Sequence, residues 1–302
     1  MQHPLPHFLG DSFNSFETHP FDLTEESILS GVEDGRLIEW DAATGTPARE
    51  FVGHASGITS LAVAGETWTA LSGSADGTLI LWDLKTGDAL RRFSGHNGPV
   101  TSVSITPGGQ TAVSGGEDGA LILWNVHSGE EFRRFTDQAC RVNAVALSPA
   151  GDSILSTHRD LTLRKWDAQT GDLLATATIH CRPDHLALNA DGTTVLVSCE
   201  NIISQWDVMD WRAQQPFLGP DAAYLNALTI STDGHLGLSA SSEGTLYLWD
   251  WLICRMCADL IRPAVGTPRA KEKMGSLVGS FRWLSSDERE KQDHLNSRCL
   301  VK

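Results

Sequence analysis

Basic residues are scarce in this chain, at 23 Lys and Arg against 38 Asp and Glu, a formal net charge of −15. The shortage is sharper over residues 1–261, because residues 262–302 carry nine basic and five acidic residues and leave a net −19 for the rest. An acidic body repels phosphate, which argues against direct nucleic-acid binding. Long apolar runs are also missing. The most apolar later stretch, residues 246–261, is interrupted by Asp250, Arg255 and Asp259 and is too short and too charged to span a bilayer. The first 22 residues have neither a basic start nor a continuous apolar segment, so they do not read as a secretory signal. The expectation is a soluble, cytoplasmic protein without a membrane partner.

Cysteine is present but unorganised. Cys140, Cys181, Cys199, Cys254, Cys257 and Cys299 show no framework spacing, which leads us to expect reduced thiols. Cys254 and Cys257 have metal-ligand spacing, and His180, Cys181 and His185 could join them in space. No second Cys-x-x-Cys completes a tetrahedral set, however, so ordinary strand and loop residues are the preferred reading. No metal and no cofactor is expected. The phosphate loop G-x-x-x-x-G-K-[ST], the G-x-S-x-G elbow and H-E-x-x-H are all absent.

What the chain does have is a period. A tryptophan followed by an acid or its amide closes a short apolar run at Trp40-Asp41, Trp82-Asp83, Trp124-Asn125, Trp166-Asp167, Trp206-Asp207 and Trp249-Asp250, with steps of 42, 42, 42, 40 and 43 residues. Residues 72–96 and 114–138 are identical at 12 of 25 positions, the mark of a duplicated module.

Residues 95–135 show what one unit is made of. Val100 to Ile105 alternates and stops at Pro107-Gly108-Gly109, which predicts a strand and a turn. A second strand begins near Ala112 and ends at Asp118-Gly119, a strong hairpin signal. Leu121-Ile122-Leu123-Trp124 is continuously apolar, as in a strand covered on both faces. After Ser128-Gly129 a last strand carries Arg133 and Arg134. A four-stranded sheet with two apolar faces cannot bury either alone and must stack on its copies. The pairs Arg91-Arg92 and Arg133-Arg134 read as charges that keep an exposed edge from aggregating, in preference to a ligand site.

A period in the low forties that ends in Trp-Asp resembles the WD-repeat β-propeller family. Gly53-His54 and Gly95-His96, again 42 apart, and the turn acids Asp34, Asp76, Asp118 and Asp160 carry the resemblance further, over roughly residues 26–250. It implies an all-β propeller of four-stranded antiparallel blades, with six recognisable repeats and room for a degenerate seventh. It also implies a buried hydrogen-bonded set of His, Ser, Asp and Trp in each complete blade. Carried over, the sets are His54, Ser72, Asp76 and Trp82, and His96, Ser114, Asp118 and Trp124. A Ser/His/Asp trio also suggests nucleophilic catalysis. Its recurrence in register with the fold, the tight turn around its Asp and the Trp beside it favour a structural role.

The other units are eroded. The fourth has Asp137-Gln138 for Gly-His, the fifth shortens its hairpin and places Glu200 at the turn, and the sixth has Glu243 there and Asp221 near the expected His. Residues 1–25 are expected to form an N-terminal segment that can donate a ring-closing strand, and residues 26–261 the propeller. Residues 262–302 are expected to be a linker and a short helical tail, with Ser285 and Glu288 as its capping box.

These features lead to a non-catalytic scaffold that binds a protein or peptide. In the family, partners engage the loops between second and third strands and those leading into the first. Here that implies Glu33, Ala75, Glu117, Arg159 and Ser242, with Asn97, Arg141, Asp184 and Tyr224 approaching the inner strands. Tyr224 and the arginines are the best anchor types. The alternatives are a regulatory or sensory portion of an assembly with a catalytic partner and, less favoured, a hydrolase with its site in the central channel. Inner strands rich in Ser, Thr, Val, Ala and Leu offer that hydrolase little.

Overall fold

In the computed structural model, residues 27–261 are described except 42–43, 136–139, 214–215, 219–223, 231–235, 242–245 and 251–254. The proposed N-terminal strand, the C-terminal linker and helix, Asp137-Gln138, Asp221, Ser242, Glu243 and Cys254 lie outside the described residues. Among the described residues the protein is all-β and contains no helix, hence none long and apolar enough to cross a membrane.

Six antiparallel sheets follow one another along the chain. The first has three strands, β1 (Ser27–Gly31), β2 (Arg36–Asp41) and β3 (Pro47–Val52). The second runs β4 (Ile58–Ala64), β5 (Thr69–Ser74), β6 (Thr78–Asp83), β7 (Ala89–Ser94). The third is β8 (Val100–Ile105), β9 (Thr111–Gly116), β10 (Leu121–Asn125), β11 (Glu131–Phe135). The fourth is β12 (Val142–Leu147), β13 (Ser153–His158), β14 (Thr162–Asp167), β15 (Leu173–Thr178). In the fifth, β16 (Pro183–Leu188), β17 (Thr194–Cys199) and β18 (Ile202–Asp207) are followed by two short pieces on β18, β19 (Arg212–Ala213) and β20 (Phe217–Leu218). The sixth is β21 (Leu225–Ile230), β22 (Leu236–Ser241), β23 (Leu246–Asp250), β24 (Arg255–Ile261).

The apolar third strand of each unit explains the stacking. Successive side chains of a strand point to opposite faces, and here both faces meet another sheet. Leu79 and Leu81 pack toward the third sheet with Ile122 and Trp124, whereas Ile80 and Trp82 pack toward the first with Leu37 and Phe51. Further cores join the third sheet to the fourth, the fourth to the fifth and the fifth to the sixth. At the outer end of three interfaces a phenylalanine meets the next sheet's tryptophan edge to face, in Phe51–Trp82, Phe93–Trp124 and Phe135–Trp166, with centroids 5.5–5.7 Å apart. The first strand of each sheet from β4 to β21 lies against that of the next. Gly73 and Gly115 allow that approach, since a Cβ there would come within 2.7 and 2.5 Å of Val100 and Val142.

Against the expectation of free thiols, Cys181 and Cys199 are joined as a disulfide with Cα atoms 5.7 Å apart, while Cys140 is free.

Candidate functional site

Each sheet carries a bond from its repeated indole, and most of these bonds reach a serine ten residues earlier. Trp40, Trp82, Trp124, Trp166 and Trp249 donate Nε1–H to Ser30, Ser72, Ser114, Ser156 and Ser239 at 2.7–2.9 Å. The antiparallel register sets each serine opposite the residue two before the tryptophan: Ser30 opposite Ile38, Ser72 opposite Ile80, Ser114 opposite Ile122.

In the second and third sheets a histidine completes the lock. His54 Nε2 lies 2.8 Å from Ser72 Oγ and its Nδ1 3.1 Å from Asp76; His96 stands 2.8 Å from Ser114 and 3.0 Å from Asp118. An ionised carboxylate only accepts, so Nδ1 carries the proton, and the neutral ring then accepts the serine O–H at Nε2. The chain of donors runs from indole to hydroxyl to imidazole to carboxylate. Each carboxylate also accepts the backbone N–H just after the histidine, Ala55 or Asn97, at 2.8 Å.

The electrostatics agree with that tautomer. Burial pushes His54 and His96 below the usual histidine range, and the nearby carboxylates only partly oppose it. Burial alone would raise Asp76, but hydrogen bonds from Thr78 and Ala55 bring it down to about 2. Asp118 is lowered in the same way, against burial, by Asn97 and His96.

The order Ser–His–Asp is that of a hydrolase triad, yet the serine cannot serve as one. Ser72 and Ser114 are each 0% exposed, and their oxygens are taken by an indole N–H. A nucleophile needs room for substrate beside it; these serines have a tryptophan there.

Three residues that sequence reasoning missed rebuild the lock where it is eroded. In the fourth sheet His158, on the same strand face as Ser156 and two residues on, hydrogen-bonds it through Nε2 at 2.8 Å. Arg164 takes the core position of Ile80 and Ile122, opposite Ser156, and pairs with the turn acid Asp160. Burial and the Arg164 cation push His158 down to about 4, with Asp160 opposing. In the fifth sheet the hydroxyl has crossed the strand pair. Val197 stands where the serine would be, and its partner Ser204 accepts from Trp206 at 3.1 Å. The i, i+2 spacing of Ser156 and His158 was the readable signal for the first of these; Ser204 had none.

Polar side chains also staple one sheet to the next with the same period. Thr59, Thr101 and Asn143 donate to the carbonyls of Val100, Val142 and Pro183 at 2.6–2.9 Å, and His185 hydrogen-bonds the Leu225 backbone. On the outer strands Arg49, Arg91 and Arg133 reach the carbonyls of Leu84, Ser128 and Gln169. Arg92 and Arg134 turn back to the carbonyls of Gly53 and Gly95. Edge charge is thus only part of what these arginines do. His185 is a staple and His180 is exposed, and among the described residues no group of His, Cys, Asp and Glu could hold a metal.

The partner-face residues lie on one edge of the sheets, where each hairpin between second and third strands meets the segment leading into the next sheet. A Cβ on Gly57 would come within 3.0 Å of the Glu33 carbonyl. Glu117 and Arg141, from neighbouring sheets, form a 2.6 Å ion pair, and Arg159 N–H donates to the Arg141 carbonyl at 3.0 Å. Arg159 itself is exposed and makes no ion pair among the described residues. Tyr224, 60% exposed, precedes Leu225, whose N–H donates to the Glu200 carbonyl. Glu117, Arg141 and Arg159 are therefore contiguous.

Stacked antiparallel sheets, each pinned by an indole-to-hydroxyl bond, define a repeat protein whose polar machinery serves its frame. The model of the WD40 family, described as WD domain, G-beta repeat, matches residues 45–83, 87–125, 129–167 and 213–250, about half of the chain. The chain belongs to that family. No curated protein matches it.

Proposed function

We propose that the protein is a non-catalytic platform that binds a protein or peptide along the edge carrying Glu33, Glu117, Arg141, Arg159 and Tyr224. WD40 repeats generally mediate protein interactions, and the observation that carries the reading here is the division of labour among polar groups. The Ser/His/Asp sets are enclosed under tryptophans, while Arg159 and Tyr224, side chains of the kinds that anchor interfaces, stand free at the edge. On this reading the six sheets close a ring, and residues 1–25 supply an inner strand to the first sheet, which has three strands among the described residues.

Affinity purification of the wild type beside an Arg159→Glu/Tyr224→Ala variant tests the proposal. The variant is expected to unfold at the wild-type temperature and to lose proteins that the wild type retains. An unchanged set of bound proteins would count against this edge.

A second reading, the regulatory portion of an assembly with a catalytic partner, draws on the first sheet. Among the described residues β1 has no neighbour in the sheet on its inner side, and such an edge accepts a strand from elsewhere. Co-purification of a catalytic subunit, abolished by a proline at Leu29, would favour it; a stable monomer without one would not.

A further inference from the structure

The fifth sheet keeps an indole-to-hydroxyl bond, from Trp206 to Ser204, but not the histidine bonds that complete the lock in the second and third. His180 occupies the position 42 residues times two beyond His96 in the repeat, but it is exposed. Val197 replaces the serine opposite Ser204, and Glu200 stands at the turn with a left-handed backbone, φ 55°. In the intact sheets the lock ties the lead-in segment to the second strand of the same sheet, through His54 to Ser72 and His96 to Ser114. The same two segments of the fifth sheet are tied by sulfur. Cys181 belongs to the lead-in, Cys199 ends β17, and Cys199 is paired with Pro183 at the start of β16. Their Cα separation of 5.7 Å lies in the middle of the range a disulfide spans.

We propose that Cys181–Cys199 is a reversible redox fastening that replaces the missing histidine–serine tie, so that a dithiol reductant loosens the lead-in to the fifth sheet. The inference concerns the fold and stands apart from the partner-binding reading.

Access decides how the exchange runs. Cys199 is 1% exposed and Cys181 is partly exposed, so a reductant thiolate attacks Cys181 Sγ. The S–S bond breaks, Cys199 leaves as thiolate and takes up a proton, and the reductant's second thiol displaces Cys181 from the mixed disulfide. Two electrons and two protons pass from the dithiol, which ends as its own disulfide. Oxidation by a disulfide of the glutathione type runs the same steps backwards. Only the covalent tie is lost, because Pro183–Leu188 still pairs with β17. The released segment is 179–182, which leads to the inner strand of this sheet.

The test uses the full chain. Protein treated with oxidised glutathione, then denatured and labelled with N-ethylmaleimide, is expected to leave Cys181 and Cys199 unlabelled and joined in one peptide pair; dithiothreitol makes both reactive. In the native protein, dithiothreitol is expected to raise amide hydrogen exchange across 179–182 about tenfold or more and leave 54–57 and 96–99 unchanged. The Cys181→Ser/Cys199→Ser variant should exchange like the reduced wild type and ignore dithiothreitol. Labelling of both cysteines after oxidation, or unchanged exchange at 179–182 upon reduction, overturns the proposal. If the double variant fails to fold, the wild-type comparison decides alone.

Discussion

Ser114 accepts from Trp124 and donates to His96, and Asp118 holds the far side of the same ring. A residue in such a chain is costly to remove, because the groups left behind are buried and unpaired. Asp118→Ala is expected to destabilise the protein by about 1–3 kcal/mol in urea unfolding. His158 makes a prediction of a different kind. Its proton affinity falls from the ordinary 6.5 to about 4 on folding, so the unfolded chain binds the proton more readily and stability falls as pH drops through that window. Between pH 7 and 4 the wild type should lose on the order of 3 kcal/mol more than His158→Gln. Equal losses would mean that His158 is not held neutral. His54, His96 and His185, also lowered by burial, add to the acid sensitivity of both proteins.

At the scale of the element, hairpins and strand pairs show which substitutions the fold absorbs. The turn acid is followed by glycine in the first three sheets, with φ of 88°, 81° and 76° at Gly35, Gly77 and Gly119, but by Leu161 at 66° in the fourth. A leucine in the left-handed region costs about 1–2 kcal/mol, and glycine returns some of this as lost chain entropy, so Leu161→Gly should stabilise by about 0.5 kcal/mol. In the fifth sheet Ser204→Ala should cost about 1 kcal/mol by leaving the Trp206 N–H unpaired. Val197→Ser in the same molecule should restore most of it. Here the limits of the sequence are plain. Trp-Asp, Asp-Gly and the apolar triplets lie close together in the chain, and local order was enough to read the sheets from them. The exchange of Val197 with Ser204 was hidden because strand pairing, not sequence distance, brings those positions together. The staples Thr59, Thr101, Asn143 and His185 do keep the 42-residue period, yet after the two threonines they change residue type, so no motif marks them. Cys181 and Cys199 had no framework spacing for the same reason: the fold supplies their proximity.

At the scale of the molecule, polar fastenings act along the whole width of the sheets, within them and between them. Thr and Asn staples hold the inner strands, indole locks hold the middle, and Arg49, Arg91 and Arg133 clasp the outer strands to the next sheet. With so many polar groups spent on the frame, the proposed function puts recognition on the edge bearing Arg141, Arg159 and Tyr224. The account separates frame from display, and that separation can be measured. The most direct measurement is the affinity of a protein captured by the wild type for Asp118→Ala and for Arg159→Glu/Tyr224→Ala, each read below its unfolding midpoint. The account predicts that Asp118→Ala melts earlier and binds like the wild type, while the edge variant melts like the wild type and binds at least about tenfold more weakly. Lost binding in folded Asp118→Ala together with undiminished binding in the edge variant would contradict it.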